Sequence, residues 1–449
     1  MLKKRFLLLT NIITIIALLC ACQQVPQNVK DRNEELESKI EAESVNTVVE
    51  KNKSDSSNSN EEIPRGSLDY IREHLNEDAS KKYGTITVKY ASAGKAKSMP
   101  TYEISHGGND KFDLNSLITF FYNDKYNLND KDLFVSIPQD KTKTEPTKAK
   151  EGWGVDYRAP ESTFFDVYAF SPNKDDTTQS LVSYSNGSCW GSPKGAASVG
   201  NDYYAITNCR SQNHYYPEYE DISNISYKMI NGEKWDLKEA VELVEMFWNK
   251  QLASADKEKY NYKVWRVDII PLSNNNYGYL FMLKFYDESG NSYDCDTYNY
   301  WNLEKQKTYE KKRFFDTNNQ FAFCLEKGSI TRFGKGASFN KVKKIDDNSS
   351  FITLAGAMKI LEEKMAKYIN LNFDTAELCY IKTCDKYPYK DYDGIVEYSE
   401  TFCQATCTMH IRPYWCFRKD NNYLNCWNTG ENYYVDAVTG EIHIIKSDS

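Results

Sequence analysis

The sequence predicts an α+β protein in which antiparallel sheets are each packed by a helix, and three observations carry that prediction. Asp236 precedes LKEAVELVEMFWNKQL, whose Leu237, Ala240, Val241, Val244 and Trp248 fall on one helical face behind a capping carboxylate. Thr353 precedes LAGAMKILEEKMAKYI, which places Leu354, Ala357, Met358, Leu361 and Met365 in the same way. Each helix is followed by segments with strand character: VWRVDII and YGYLFMLKFY after the first, TAELCYI, CTMHIRPYWCF and NYYVDAVTGEIHII after the second. Leu237 and Leu354 are 117 residues apart, so the two units read as similar modules, each a helix on a sheet.

The chain opens on a cationic MLKKR and a run FLLLTNIITIIALL, about the length of a secretory signal core and short for a spanning helix. The run ends in Leu19-Cys20-Ala21-Cys22. This resembles the lipobox of bacterial lipoproteins, in which an aliphatic and two small residues precede an invariant cysteine. The resemblance implies that residues 1–21 are a signal peptide lost together with Cys20. It implies also that Cys22 is acylated and that the cytoplasmic membrane is a partner, met from its extracytoplasmic face. Acyl chains hold through about 0.8 kcal/mol per buried CH₂, so a multiply acylated cysteine anchors firmly.

Residues 22–66 read as a disordered tether, because Gln23–Gly66 holds no Phe, Trp or Tyr and includes KNKSDSSNSNEE. As a random coil it spans roughly 35–40 Å. Residues 67–228 read as an N-terminal α+β domain: GTITVKY as a strand, LNSLITFFY behind Asp113 as a helix, FFDVYAF as a second strand. Residues 229–345 and 346–449 are then the two helix-on-sheet modules.

Net charge is −8, and removal of Lys3, Lys4 and Arg5 with the signal leaves 53 basic against 64 acidic residues. That balance argues against a nucleic-acid partner. With Cys20 lost and Cys22 acylated, ten cysteines remain: Cys189, Cys209, Cys295, Cys324, Cys379, Cys384, Cys403, Cys407, Cys416 and Cys426. An even number outside the cytoplasm favours disulfides. Cys189 and Cys209 flank a Gly/Ser-rich segment and form the first expected pair, and Cys295–Cys324 the next. The six between Leu378 and Trp427 leave fifteen connectivities open.

No hydrolase or metal signature stands out. The histidines are His74, His106, His214, His410 and His443, none in a nucleophile–base context, and there is no G-x-S-x-G. YKDYDGIVEYSE places Asp391, Asp393 and Glu400 on the calcium-loop pattern, but Tyr389 stands where the first carboxylate belongs. A tight Asp-Gly turn accounts for it better, so no metal or other cofactor is expected. Trp190, Tyr215, Tyr216, Tyr298, Tyr300 and Trp301 combine flat apolar faces with polar edges, as ligand-stacking side chains do, although such rings also suit half-buried strands.

YYVDAVTGEI at Tyr433–Ile442 is similar to the closing hairpin of PepSY-like modules, where an aspartate and a Thr-Gly turn reverse the chain. FAFCLEKGSITRF, followed by the Thr353 helix, resembles a group of uncharacterised lipoproteins of Gram-positive, clostridia-like bacteria. The resemblance implies an extracytoplasmic, lipid-anchored protein and brings no catalytic residues. The expected function is binding without catalysis, of a peptide or protein partner that adds to a strand edge. Cell-wall glycan binding through exposed Tyr and Trp is the alternative, and an envelope enzyme with an unfamiliar site is the second.

Overall fold

The computed structural model describes residues 62–106, 114–123, 133–137, 147–148, 162–163, 166–172, 180–193, 213–293, 313–315, 320–366, 371–384, 408–419 and 431–445, apart from single positions within and between them. Its elements in chain order are β1 (Arg65–Gly66), α1 (Leu68–Ser80), β2 (Ile86–Ser92), β3 (Thr101–His106), α2 (Leu114–Tyr122) and β4 (Phe134–Ile137). There follow β5 (Thr147–Lys148), β6 (Ser162–Thr163), β7 (Val167–Phe170), β8 (Ser180–Tyr184), β9 (Cys189–Ser192), β10 (Asn213–Tyr215), β11 (Ser226–Lys228) and β12 (Lys234–Asp236). The first long helix and its strands are α3 (Leu237–Phe247), β13 (Tyr260–Pro271), β14 (Tyr277–Asp287), β15 (Ser292–Tyr293), β16 (Arg313–Phe315), β17 (Phe321–Cys324), β18 (Arg332–Lys335) and β19 (Phe339–Asp346). The second set is β20 (Phe351–Ile352), α4 (Leu354–Leu361), β21 (Leu371–Cys384), β22 (Met409–Lys419), β23 (Glu431–Asp436) and β24 (Ile442–Ile445). Strand outweighs helix, 48% to 23%, within an α+β class.

Both expected caps form. The Asp236 carboxylate accepts from the backbone N–H groups of Lys238 and Glu239, and the Thr353 hydroxyl from that of Gly356. Helix α3 buries Leu237, Ala240, Val241, Val244 and Phe247 and leaves its charged face to solvent, as its periodicity requires. Helix α4 is buried nearly all round, because Ala355, Gly356 and Ile360 join its apolar stripe. Each helix runs on into a π-helical turn, Trp248–Leu252 after α3 and Glu362–Ala366 after α4, and then into a long strand.

Strands β10, β13, β14, β17, β18, β9, β8, β7 and β4 pair in that order, every ladder antiparallel. A second run, β21–β22–β23–β24, carries β3 and β19 along the other part of β22. β15 joins the two runs, since it pairs with both β14 and β21. One long ladder departs from the expected antiparallel pattern: β2 lies parallel to β21, from Ile86 opposite Leu371 to Ser92 opposite Glu377. Parallel neighbours need a crossover instead of a hairpin, and the chain between these two supplies it.

Ladders also run between the three segments expected from sequence: β9 pairs with β18, and β2 and β3 pair with β21 and β22. Ile63–Ser449 forms one compact unit. The fold takes in the end of the expected tether, for β1 pairs with β20 and the Pro64 carbonyl accepts from Thr353 N–H at 3.0 Å. Ser67 then caps α1. No described helix is long and apolar enough to cross a membrane.

Candidate functional site

The site is organised around three charges placed inside apolar strand segments and a fourth in a turn beside them. Lys284 of β14, Glu377 of β21 and Arg418 of β22 are each at least nine-tenths buried, and Glu218 sits in the turn after β10. Lys284 Nζ lies 3.0 Å from Glu377 Oε1 and also pairs with Glu218; Arg418 Nη1 lies 3.1 Å from Glu377 Oε2. The Tyr219 hydroxyl donates to Glu377 at 2.7 Å, and that of Ser92 at 3.4 Å. Buried charges persist when paired and hydrogen-bonded in this way.

The local field follows from these contacts. Burial alone would raise the Glu377 carboxyl, but Lys284, Arg418 and the Tyr219 hydroxyl outweigh it and hold the group at about 2. Burial alone would likewise pull Lys284 down, and Glu377, Tyr219 and Glu218 hold its ammonium well above the ordinary lysine range. The Arg418 guanidinium also stands 5.0 Å over the Trp265 ring, and Tyr90 stacks on Tyr219 with centroids 5.1 Å apart.

Beside this network opens a cleft of about 910 Å³. It is lined by helix α1, the end of β2 and the residues after it, the 217–223 segment, helix α3, the start of β13, and the end of β14 with its following turn. Seven carboxylates line it against four cations. Most are already engaged: Glu245 with Lys263 at 2.6 Å, Asp287 with Lys341 at 2.7 Å, Glu220 with Lys89 at 3.4 Å. Arg72 holds the Gly94 carbonyl at 2.9 Å, together with the carbonyl of Ala96. Glu242, Lys95 and Lys238 make no ion pair with a described residue, so the lining keeps available charge of both signs.

Of the aromatic residues singled out from sequence, the three that are described, Trp190, Tyr215 and Tyr216, do not line the cleft. Tyr216 is 1% exposed, its ring packed among Tyr90, Tyr219 and Trp265, which leaves no face for a ligand. Trp190 is half-buried in β9 against Val167, Ala169 and Val182, with its indole N–H 3.4 Å from the Tyr184 hydroxyl. The Tyr215 hydroxyl lies 3.0 Å from that of Tyr227, and burial followed by that contact pushes it up to about 12. Tyr298, Tyr300, Trp301, Asp391, Asp393 and Glu400 lie outside the described residues, as do Cys22, Cys209, Cys295, Cys403, Cys407 and Cys426, and the side chain of Cys384.

Of the remaining cysteines, Cys189, Cys324, Cys379 and Cys416 are buried, and no described pair is at disulfide bonding distance. Burial pushes the Cys189 thiol up to about 12, which makes it a poor nucleophile. Among the described residues no three metal-ligating side chains come together. His74, His214, His410 and His443 stand on α1, β10, β22 and β24, and none lines the cleft.

Sequence reasoning did not find the network or the cleft, although the signal was present. Lys284 interrupts YGYLFMLKFY and Glu377 interrupts TAELCYI; a lone charge in an apolar strand implies a buried partner of opposite sign. Tyr215 and Tyr216 stand out in sequence for their rings, whereas Pro217, Glu218 and Glu220 just after them are what this stretch presents to the cleft. Comparison of the chain with protein-family models, curated proteins and solved structures finds no match.

Proposed function

We propose that the protein is a lipid-anchored binding protein of the extracytoplasmic membrane face, held by acylated Cys22, which captures a peptide segment of a protein partner in this cleft. The observation that carries the reading is the cleft itself. It has charges of both signs left available in its lining, beside a buried ion network that keeps its walls in register. A polypeptide segment with mixed side-chain charge matches such a lining, and its main chain finds donors and acceptors there. A polyanion meets seven carboxylates. A glycan finds a single ring, Tyr286, whose hydroxyl is already donated to Glu218 at 2.7 Å.

Strand-edge addition, the mode expected from sequence, is less favourable at β19. That strand pairs only with β3 among the described residues and exposes Val342 and Ile345, but the exposed Lys343 and Lys344 guard it. The repeated order of capped helix, π-helical turn and long antiparallel pair supports reading the two units as PepSY-like modules.

The test uses the full chain in detergent and four probes: a lysine-rich, a glutamate-rich and an uncharged peptide of equal length, and soluble peptidoglycan fragments. Peptide binding is expected, with Glu242→Lys weakening the lysine-rich peptide several-fold and Lys238→Glu weakening the glutamate-rich one. Retention of the glycan fragments alone, or affinities that neither variant changes, would overturn the reading.

A further inference from the structure

We infer that Cys379 and Cys416 are joined by a disulfide that staples β21 to β22 beside the ion network. Their sulfurs are 3.1 Å apart and both residues are buried, 1% and 0% exposed. The ladder sets Cys379 opposite Tyr414 and Cys416 opposite Glu377, so the two thiols are diagonal neighbours on one face of the sheet. The period-two alternation of both strands keeps them there. Closing the gap to a bond of about 2 Å takes movement of about an ångström. This choice resolves one of the pairings that spacing alone leaves open.

The surroundings give the bond a role. Glu377 lies directly across from Cys416, and Arg418, which pairs with Glu377, follows two residues later on the same face. A slip of β22 by one residue would turn both Cys416 and Arg418 to the other side. The bridge therefore fixes the register on which the Glu377–Arg418 contact depends. Ile381, Tyr414 and Tyr434 pack in one buried cluster with the two cysteines.

The chemistry is a two-electron oxidation. The acceptor is the disulfide of a thiol-oxidising protein or of a small-molecule disulfide, before the strands close. One cysteine thiolate attacks a sulfur of that disulfide and expels the other as thiolate. The second cysteine thiolate then attacks the mixed disulfide, forming S–S and releasing the acceptor's second thiolate. Both cysteine S–H protons pass to the acceptor thiolates, so the acceptor leaves as a dithiol.

The test is a disulfide map of the full chain secreted into an oxidising compartment, alkylated in denaturant without reduction and digested. A cross-linked peptide pair joining Cys379 to Cys416 is expected. Recovery of either cysteine alkylated, or bonded to Cys384, Cys403, Cys407 or Cys426, would overturn the assignment. In the same experiment Cys416→Ser should release Cys379 for alkylation, whereas a Cys379 that stays protected in that variant would count against the pairing. The map of the parent chain decides the matter even if the variant does not accumulate.

Discussion

Lys284 and Glu377, 93 residues apart in sequence, meet at 3.0 Å with both side chains 3% exposed. Neither charge is tolerable there alone. Glu377→Gln should therefore cost about 3–5 kcal/mol, since it leaves Lys284 and Arg418 buried against a neutral amide. Lys284→Met should cost a similar amount, and the double variant clearly less than the sum, because each change removes the charge the other strands. Urea titrations of the four proteins measure this, and additive costs would show that the two charges do not act as a pair.

The same carboxylate sets an acid limb. Its folded value of about 2 lies below the ordinary 4.5, so its contribution is complete above about pH 4.5 and is lost as pH falls towards about 2. The stability difference between the parent and Glu377→Gln should shrink across that window. A difference that stays constant from pH 6 to pH 2.5 would contradict the depressed value.

Helix α4 contains a glycine where propensity alone would favour alanine by about 1 kcal/mol. A Cβ on Gly356 would come within 2.7 Å of the Pro64 carbonyl and 2.9 Å of Ile352 Cγ2. Gly356→Ala should therefore destabilise, by about 1–3 kcal/mol. Thermal denaturation of this variant beside the parent reads the sign directly.

The caps offer a milder series. Asp236→Ala and Thr353→Ala should each cost about 1 kcal/mol and should add, since they open different helices. Asp436→Ala should cost a comparable amount. Its carboxylate accepts from Val438 and Thr439 N–H, both at 2.8 Å, in the turn that ends at Gly440, whose φ is +82°.

Trp190 separates packing from recognition. Trp190→Ala should lower stability by about 2–4 kcal/mol through lost contacts with Val167, Ala169 and Val182, while leaving peptide affinity unchanged. Denaturation and binding curves on one preparation check both halves. A loss of affinity with unchanged stability would restore the ring to a binding role.

Local rules read from sequence were sound wherever the determinant was local. Asp236 and Thr353 announce their helices, Leu114–Tyr122 forms the helix its spacing demands, and Asp436 with Thr439 and Gly440 makes the closing turn. What sequence did not disclose depends on partners far apart in the chain. The parallel ladder of β2 on β21 joins residues 285 positions apart, and no periodicity encodes a neighbour. The cleft is invisible for the same reason, since its walls come from α1, α3 and the 217–223 segment together. Residues 63–66 fall in the expected tether because no Phe, Trp or Tyr occurs between Gln23 and Gly66; β1 exists through backbone hydrogen bonds with β20.

That short strand decides how the fold bears load. Tension arriving along the chain from the N-terminal side meets residues 64–66 before α1, with Arg65 and Gly66 clipped to Ile352 and Phe351. Pro64 is tied to the Thr353 cap, and Arg65 reaches the Val438 carbonyl at 2.5 Å in the last hairpin. A pull is thus delivered to the C-terminal helix and its turn before it reaches α1, and the unit resists peeling from its own beginning.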